Sequence, residues 1–598
     1  MFSEYLQANP ILPLLAPQGE RIAYPKADER EKWAAIDIDF KAQIIAAAKE
    51  YAQIEYPTLT ADLFISFTRD GNRKIFENPY FLRRKKLIAS VLYECLTLDG
   101  LEMDNIINGI WLICEESSWV VSAHNGSGST AEKPLPDVQN PYIDLFAAQT
   151  AATLALVCHL LEDKLNAVTP LIVRRVASEM ETRIFTPFFT RDDFWWMGMI
   201  PTTINNWTPW ILSSLLPCLA VFEKDALRLA EGIERAMRML DSYVAVMPED
   251  GGCDEGASYW NVAGASLLDC LESIQTLTAG KISFYNHPHI AAIGLFPANA
   301  HIHGPYYWDF ADCDARPILD GERLYTYGNR IKNNRLRDLG ASLAWEDRVL
   351  LPKDTPQFAR VLDRLFTIIP RANMPKSADV ILPDLQVWAK CSGDLYAAIK
   401  GGHNSESHNH NDVGSFILYN AGEPVLIDVG NMVYTAKTFG PDRYTLFNTR
   451  SRNHNLPLIG EYEQQVGGEK KALEVVLTDD FAQMDLRACY PDEAGIVALN
   501  RRLEQNGDSF FLTDAIQLRQ AAKITWVFML AGEPQLGNGI LVCRGVKIRF
   551  NAELAPSVEA IEITDARMAR NFPGFVYRVT LQAPESLARE ERFTLTRR

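Results

Sequence analysis

Near residue 380 the hydrophobic period of this chain changes, and a chain with such a change must fold as two kinds of structure joined end to end. Before it, apolar residues recur every three to four positions in segments broken by short polar or Pro/Gly stretches: 89–99, 104–115, 143–162, 171–186, 209–222, 225–247 and 262–278. These predict many antiparallel helices, with connections too short for crossovers and no strands between them. Successive helix pairs closing into an α/α toroid, an incomplete helical barrel, suit this rhythm; an open solenoid is the rival. After residue 380 the period falls to two, in runs rich in Val, Ile, Phe and Thr such as LYAAIKGG, GSFILYNAGEPVLIDVGN and KITWVFML. Asn420-Ala421-Gly422-Glu423 predicts a hairpin turn between two of them. The expected class is α+β multidomain: a helical domain over residues 1–380 and an antiparallel β-sandwich over 381–598.

Composition narrows the function. The 598 residues are 47% hydrophobic, enough for large cores, which excludes disorder as the main state. Lys plus Arg number 59 against 76 Asp plus Glu, a net charge of -17. A nucleic-acid binder needs a basic face, and the densest basic run, Arg83-Arg84-Lys85-Lys86, reads as the solvated end of a helix. Ten dispersed cysteines without a C-x-x-C pair read as reduced core residues. The N-terminal stretch lacks a secretory pattern, and no run approaches the roughly 18 uninterrupted apolar residues of a membrane span. A soluble, cytoplasmic protein with no membrane partner is expected.

Chemistry gathers in three segments. In HNSESHNHND (403–412), His408 and His410 are two apart and would share a face on a strand; Asp428 and His454 follow. Imidazoles plus one carboxylate form a zinc ligand set, although a lone H-x-H is also what a surface pair looks like. In MPEDGGCDEGASYWN (247–261), Asp250, Asp254, Glu255 and Tyr259 crowd among glycines ahead of a helix beginning near Val262; helix capping and a solvated loop would give the same composition. In IPTTINNWTPWIL (200–212), Asn205 and Asn206 precede Trp207 and Trp210, amides and rings that suit sugar hydroxyls and sugar faces. Further rings occur at Trp195, Trp196, Tyr306, Tyr307 and Trp308, where helix packing is the plainer reading.

Taken together, DGGCDEGASYWN, SHNHNDVGSF, LIDVG and NTRSRNHN, in that order on a helical-then-β chain, resemble the heparinase II/III family of polysaccharide lyases. The resemblance implies an N-terminal α/α toroid, a C-terminal β-sandwich domain and a cleft between them. It also implies β-elimination at a uronic acid residue of an acidic polysaccharide or oligosaccharide. Tyr259 matches the catalytic tyrosine, as base, acid or both, and a base role needs its phenol pKa of about 10 to fall. His408 matches the catalytic histidine, either as partner base for the opposite sugar epimer or as a carboxylate contact, and Asn205 or Asn206 the amide that neutralises the uronate. Some family members carry a histidine in this region, whereas here Trp207 follows the asparagine pair. His410, Asp428 and His454 match the ligands of one zinc, which looks structural. Glu255 matches a substrate-contact position; Trp207, Arg450 and Arg452 are further substrate-binding candidates.

A chain of this charge repels a long polyanion, so released oligosaccharides, cut from an end, are the expected substrates. Glycosaminoglycan-type chains come first, alginate or other bacterial uronate glycans second. Two rivals are a glycoside hydrolase on the same toroid, with Asp254 and Glu255 as its carboxylate pair, and a non-catalytic glycan-binding protein. The oligomeric state is left open, a homodimer among the options.

Overall fold

The computed structural model describes residues 1–125, 134–351 and 357–598, and in it the change of period is a change of architecture. Helices dominate as far as Phe358–Phe366, and the strands of the two large sheets begin at Val380. Helix Leu145–Val168 lies at the centre of the helical half, against Lys74–Thr97, Trp207–Phe222 and Phe358–Phe366. It is long and apolar enough to cross a membrane, but its apolar window is buried inside the fold, which is why it carries no polar face. Antiparallel partners continue the ring through Gly264–Leu277, Pro288–Ala300, Gly321–Arg330 and Asn334–Glu346, an incomplete α/α toroid.

One basic run departs from expectation. Arg83, Arg84 and Lys86 lie mid-helix in Lys74–Thr97 and are buried. Glu116 takes Arg84 in a two-point pair at 2.8 and 2.6 Å and Arg83 at 3.1 Å, and Lys86 donates to the Ile54 carbonyl. Partners met only in the fold satisfy these charges, so the run is structural rather than solvated.

The sheet half stacks two antiparallel sheets. The outer one follows Leu473–Leu477, Phe481–Asp485, Ile496–Asn506, Ser509–Ala522, Ser586–Arg597, Val546–Arg549, Ile540–Cys543 and Gln535–Gly537. The inner one runs from Ala555–Glu562 through Phe575–Gln582, Ile524–Leu530, Glu423–Leu426, Phe416–Asn420, Leu395–Lys400 and Val387–Ser392 to Val380–Leu382. Trp388, Phe416, Trp526, Phe528, Leu512 and Phe593 fill the space between them. Tyr396, Ala398, Ile417 and Tyr419, on the other face of the inner sheet, join the helical core. The inner strands are therefore covered twice: Leu395–Lys400 is buried at every position, whereas the outer Ser509–Ala522 alternates as a one-sided strand should. The predicted hairpin turn is present, with Asn420 opposite Glu423 and with Ala421 and Gly422 at φ 48° and 84°. All ten cysteines are free thiols, nine of them buried.

Candidate active site and metal centre

The loop 247–261 is shaped by two glycines with positive φ. A Cβ on Gly251 (φ 75°) would sit 2.1 Å from the Ala292 carbonyl carbon, and one on Gly256 (φ 79°) 2.6 Å from Cys313 Cβ. Its carboxylates bind the sheet half. Asp250 Oδ2 accepts from Asp384 N and Leu385 N at 2.7 and 3.0 Å, and Asp254 Oδ2 from Ser407 N at 3.1 Å. The loop ends in a 3-10 turn, Ala257–Tyr259, and the helix after it begins at Gly264, two residues later than expected.

That turn delivers Tyr259 to His408. The phenol oxygen is 3.4 Å from His408 Nδ1, and the two rings stack with centroids 4.5 Å apart. His408 is not on a strand, nor does it share a strand face with His410. The segment is a loop in which His408 takes φ 57°, a conformation unfavourable for a side chain with a Cβ, and its carbonyl accepts from Asp312 N at 3.1 Å. The turn separates the imidazoles onto two oxygens of one carboxylate: His408 Nδ1 is 3.0 Å from Asp312 Oδ2 and His410 Nε2 is 3.1 Å from Asp312 Oδ1.

Asp312 was not singled out by sequence, and it is the hub of the site. Tyr434 donates to Oδ2 at 3.0 Å and Arg443 at 3.1 Å. Burial alone would push its carboxyl up, but the hydrogen bonds of His408 and His410, with the nearby charge of Arg443, hold it well below the usual carboxylate range. A permanently charged Asp312 fixes the protons around it. His408 carries its proton on Nδ1, leaving the Nε2 lone pair for chemistry. Tyr434 commits its single proton to Asp312, so Tyr259 is the donor in the short bond between the two phenols. Burial, then the charge and hydrogen bond of Tyr434, raise the Tyr259 phenol well above its ordinary value. That is the opposite of the fall a resting base needs. Arg567, held by Asp314 at 3.0 Å, lies over the Tyr434 ring at 5.4 Å. Tyr434 and Arg443 lie downstream of LIDVG, outside the motif segments; Asp312 hides in the aromatic run YYWDFADCD, where only the rings stand out.

Asn206 Nδ2 donates to Glu255 Oε2 at 3.1 Å, whereas Asn205 Oδ1 accepts from Trp207 N at 3.0 Å, directing its side chain into a turn ahead of helix Trp207–Phe222. Glu255 is buried, and burial pushes its carboxyl up to about 7, with Asp254 and Asp312 adding and His408 and Asn206 opposing. Trp207 is half-buried, its ring 4.8 Å from that of His124 and 5.0 Å from that of Trp195. Trp196, Tyr307 and Trp308 are core residues. Arg450 and Arg452 do not join the cluster: both guanidinium groups are taken by Glu463 at 2.5 Å.

Joined to this cluster by the His410–Asp312 contact, His410, Asp428 and His454 are fully buried, with one donor atom from each within 4.8 Å of the others. The donor chemistry fits a metal. His410 directs Nε2 at Asp312 and His454 directs Nε2 at the Asn448 carbonyl (2.8 Å), so both turn Nδ1 inward. His410 Nδ1 has no hydrogen-bond partner, and His454 Nδ1 faces Asp428 Oδ2 at 2.8 Å, a contact that requires a proton or a cation between them. These three residues can hold a metal ion.

Comparison with known proteins follows the same lines. Residues 385–585 match the family model described as heparinase II/III-like, C-terminal. This part of the chain is similar to a heparinase II/III-like domain. It contains His408, His410, Asp428 and His454, whereas Asn205, Asn206, Glu255, Tyr259 and Asp312 come from the toroid. No curated protein sequence matches the chain. Among solved structures, the heparinase II/III-like domain and its toroid together share their fold with a heparinase III gene product, at 13% identity and TM-score 0.61 over 96% of this chain and 86% of that one. A heparan sulfate lyase from Pedobacter heparinus aligns at 12% identity and TM-score 0.60, over 100% and 87% of the two chains. A chondroitin AC lyase from Streptomyces coelicolor A3, in complex with chondroitin sulphate, aligns at 10% and 0.53, over 95% and 82%. At such identity the likeness is one of fold.

Proposed function

We propose that this protein is a lyase that cleaves uronic-acid-containing glycans by β-elimination, glycosaminoglycan-type oligosaccharides first and alginate or other bacterial uronate oligosaccharides second. The observation that carries this reading is the meeting of Tyr259, from the helical half, with His408, from the sheet half, over one ionised carboxylate, Asp312. The reaction needs a base at the carbon beside the uronate, a donor for the departing glycosidic oxygen, and relief of the charge that grows on the carboxylate.

His408 Nε2 accepts the carbon-bound proton. The C–O bond to the leaving sugar breaks as the new C=C forms, and the Tyr259 O–H protonates the released oxygen. The raised phenol suits Tyr259 to that donor role. Asn205, whose N–H groups are not engaged by Glu255, neutralises the uronate; Asn206 orients Glu255. A Glu255 carboxyl near 7 enters neutral about half the time at neutral pH and can donate to the uronate without repelling it. Trp207 offers a sugar-stacking ring at the rim. Zinc is the metal we assign to His410, Asp428 and His454, where it would tie loops together and hold the imidazoles. The His410–Asp312–His408 chain would pass that order to the base.

The test is a panel of uronate glycans, short and long, followed by ultraviolet absorbance. Growth of absorbance supports elimination. New reducing ends without absorbance would mean hydrolysis, and binding without either would mean a lectin-like role.

A further inference from the structure

Resting on the metal reading above, we propose that Asp309 completes the metal centre from the helical half as the acceptor of a metal-bound water, supplying the second negative charge that a divalent ion needs there. The residue stands in the segment after the short strand Tyr306–Tyr307 and is fully buried. Neither of its carboxylate oxygens has a hydrogen-bond partner, an arrangement that a buried carboxylate tolerates only with a cation or a proton at hand. Three residues on, Asp312 grips His410 Nε2, so one short segment addresses the same ligand histidine from outside.

Its position is tied to Asp428. The Gly430 N–H donates to Asp428 Oδ1 at 3.1 Å, and a Cβ on Gly430 would lie 3.9 Å from Asp309 Cβ. Among charged groups, Asp428 bears most strongly on Asp309. Besides Asp309, His410 Nδ1, the Tyr419 hydroxyl and Asn448 Oδ1 are buried without partners, and Asp309 and Asp428 both act on Tyr419. With two neutral imidazoles, Asp428 alone would leave a divalent ion carrying a net positive charge in a dry interior; Asp309 brings the sum to zero. Because Asp309 belongs to the toroid and the other three groups to the heparinase II/III-like domain, the ion would also fasten the two halves together.

The test uses the full chain, stripped with chelator and titrated with zinc alone by calorimetry and chelator competition. Asp309→Asn keeps the shape and removes the charge. Zinc affinity is expected to fall about ten- to a hundredfold, the range seen when an outer carboxylate of a metal site is lost. The stripped variant should melt at or above the temperature of stripped wild type, since an unpartnered carboxyl is gone; a merely structural role would lower it. Equal zinc affinity in variant and wild type overturns this inference alone. Wild type that binds no zinc overturns the metal reading and this inference with it.

Discussion

Asp312 grips His408 at two points: Oδ2 lies 3.0 Å from the imidazole Nδ1, and the Asp312 N–H donates to the His408 carbonyl at 3.1 Å. The second bond holds His408 at φ 57°, which costs about 1–3 kcal/mol for a residue with a Cβ, and the first sets its tautomer. Asp312→Asn should therefore lower kcat about 10²–10⁴-fold with little change in KM, because an amide can present N–H to Nδ1 and reverse the proton arrangement. Steady-state kinetics decide it; an unchanged kcat would remove Asp312 from the mechanism.

Tyr259→Phe is expected to lower elimination by at least about a hundredfold while leaving thermal stability and oligosaccharide binding near wild type. The phenyl ring keeps its stacking on His408 and loses only the O–H. Turnover that survives would show that the departing oxygen takes its proton elsewhere.

Glu255 supplies a pH test. Its folded carboxyl stands near 7 against an ordinary 4.5, so between those values the folded chain holds a proton that the unfolded chain has released. Stability from this group is present below pH 4.5 and is lost as pH rises toward 7. Glu255→Gln has no proton to lose, so its stability relative to wild type should rise between pH 5 and pH 8, by up to the order of 3 kcal/mol. Denaturant melts at the two pH values check this; a difference independent of pH would mean that Glu255 is ionised throughout.

His454→Ala should lower both bound zinc, from about one per chain, and thermal stability. Elemental analysis beside calorimetry reads both, and no change in either would dismiss the metal assignment.

Arg450→Ala and Arg452→Ala should each alter substrate KM by less than about twofold and stability by less than about 1 kcal/mol, since both pair with Glu463 on a partly exposed surface. A large rise in KM for either would return that arginine to the substrate site.

Much of this was legible before any coordinates. Hydrophobic period is a local property, and it separated the helices from the strands and located the 420–423 turn. The motif residues Tyr259, His408, His410, Asp428 and His454 do come together as two adjacent clusters. Other features escaped because they depend on what lies opposite. Arg83 and Arg84 look like surface residues until Glu116 arrives from the bend after helix Met103–Cys114. Leu395–Lys400 fails to alternate because a second layer covers its outer face.

The chain's order of residues determined by itself where helix gives way to sheet, because the hydrophobic period is a matter of spacing along one backbone, and its motifs drew attention to Tyr259, His408, His410, Asp428 and His454. Only the tertiary structure decided that Asp312 would stand between His408 and His410, that the Tyr259 phenol would be pushed up rather than down, and that Asp309 would be left buried without a partner. Charge, proton position and desolvation depend on distances between groups far apart in the chain, and those distances exist only once the two halves have closed on each other.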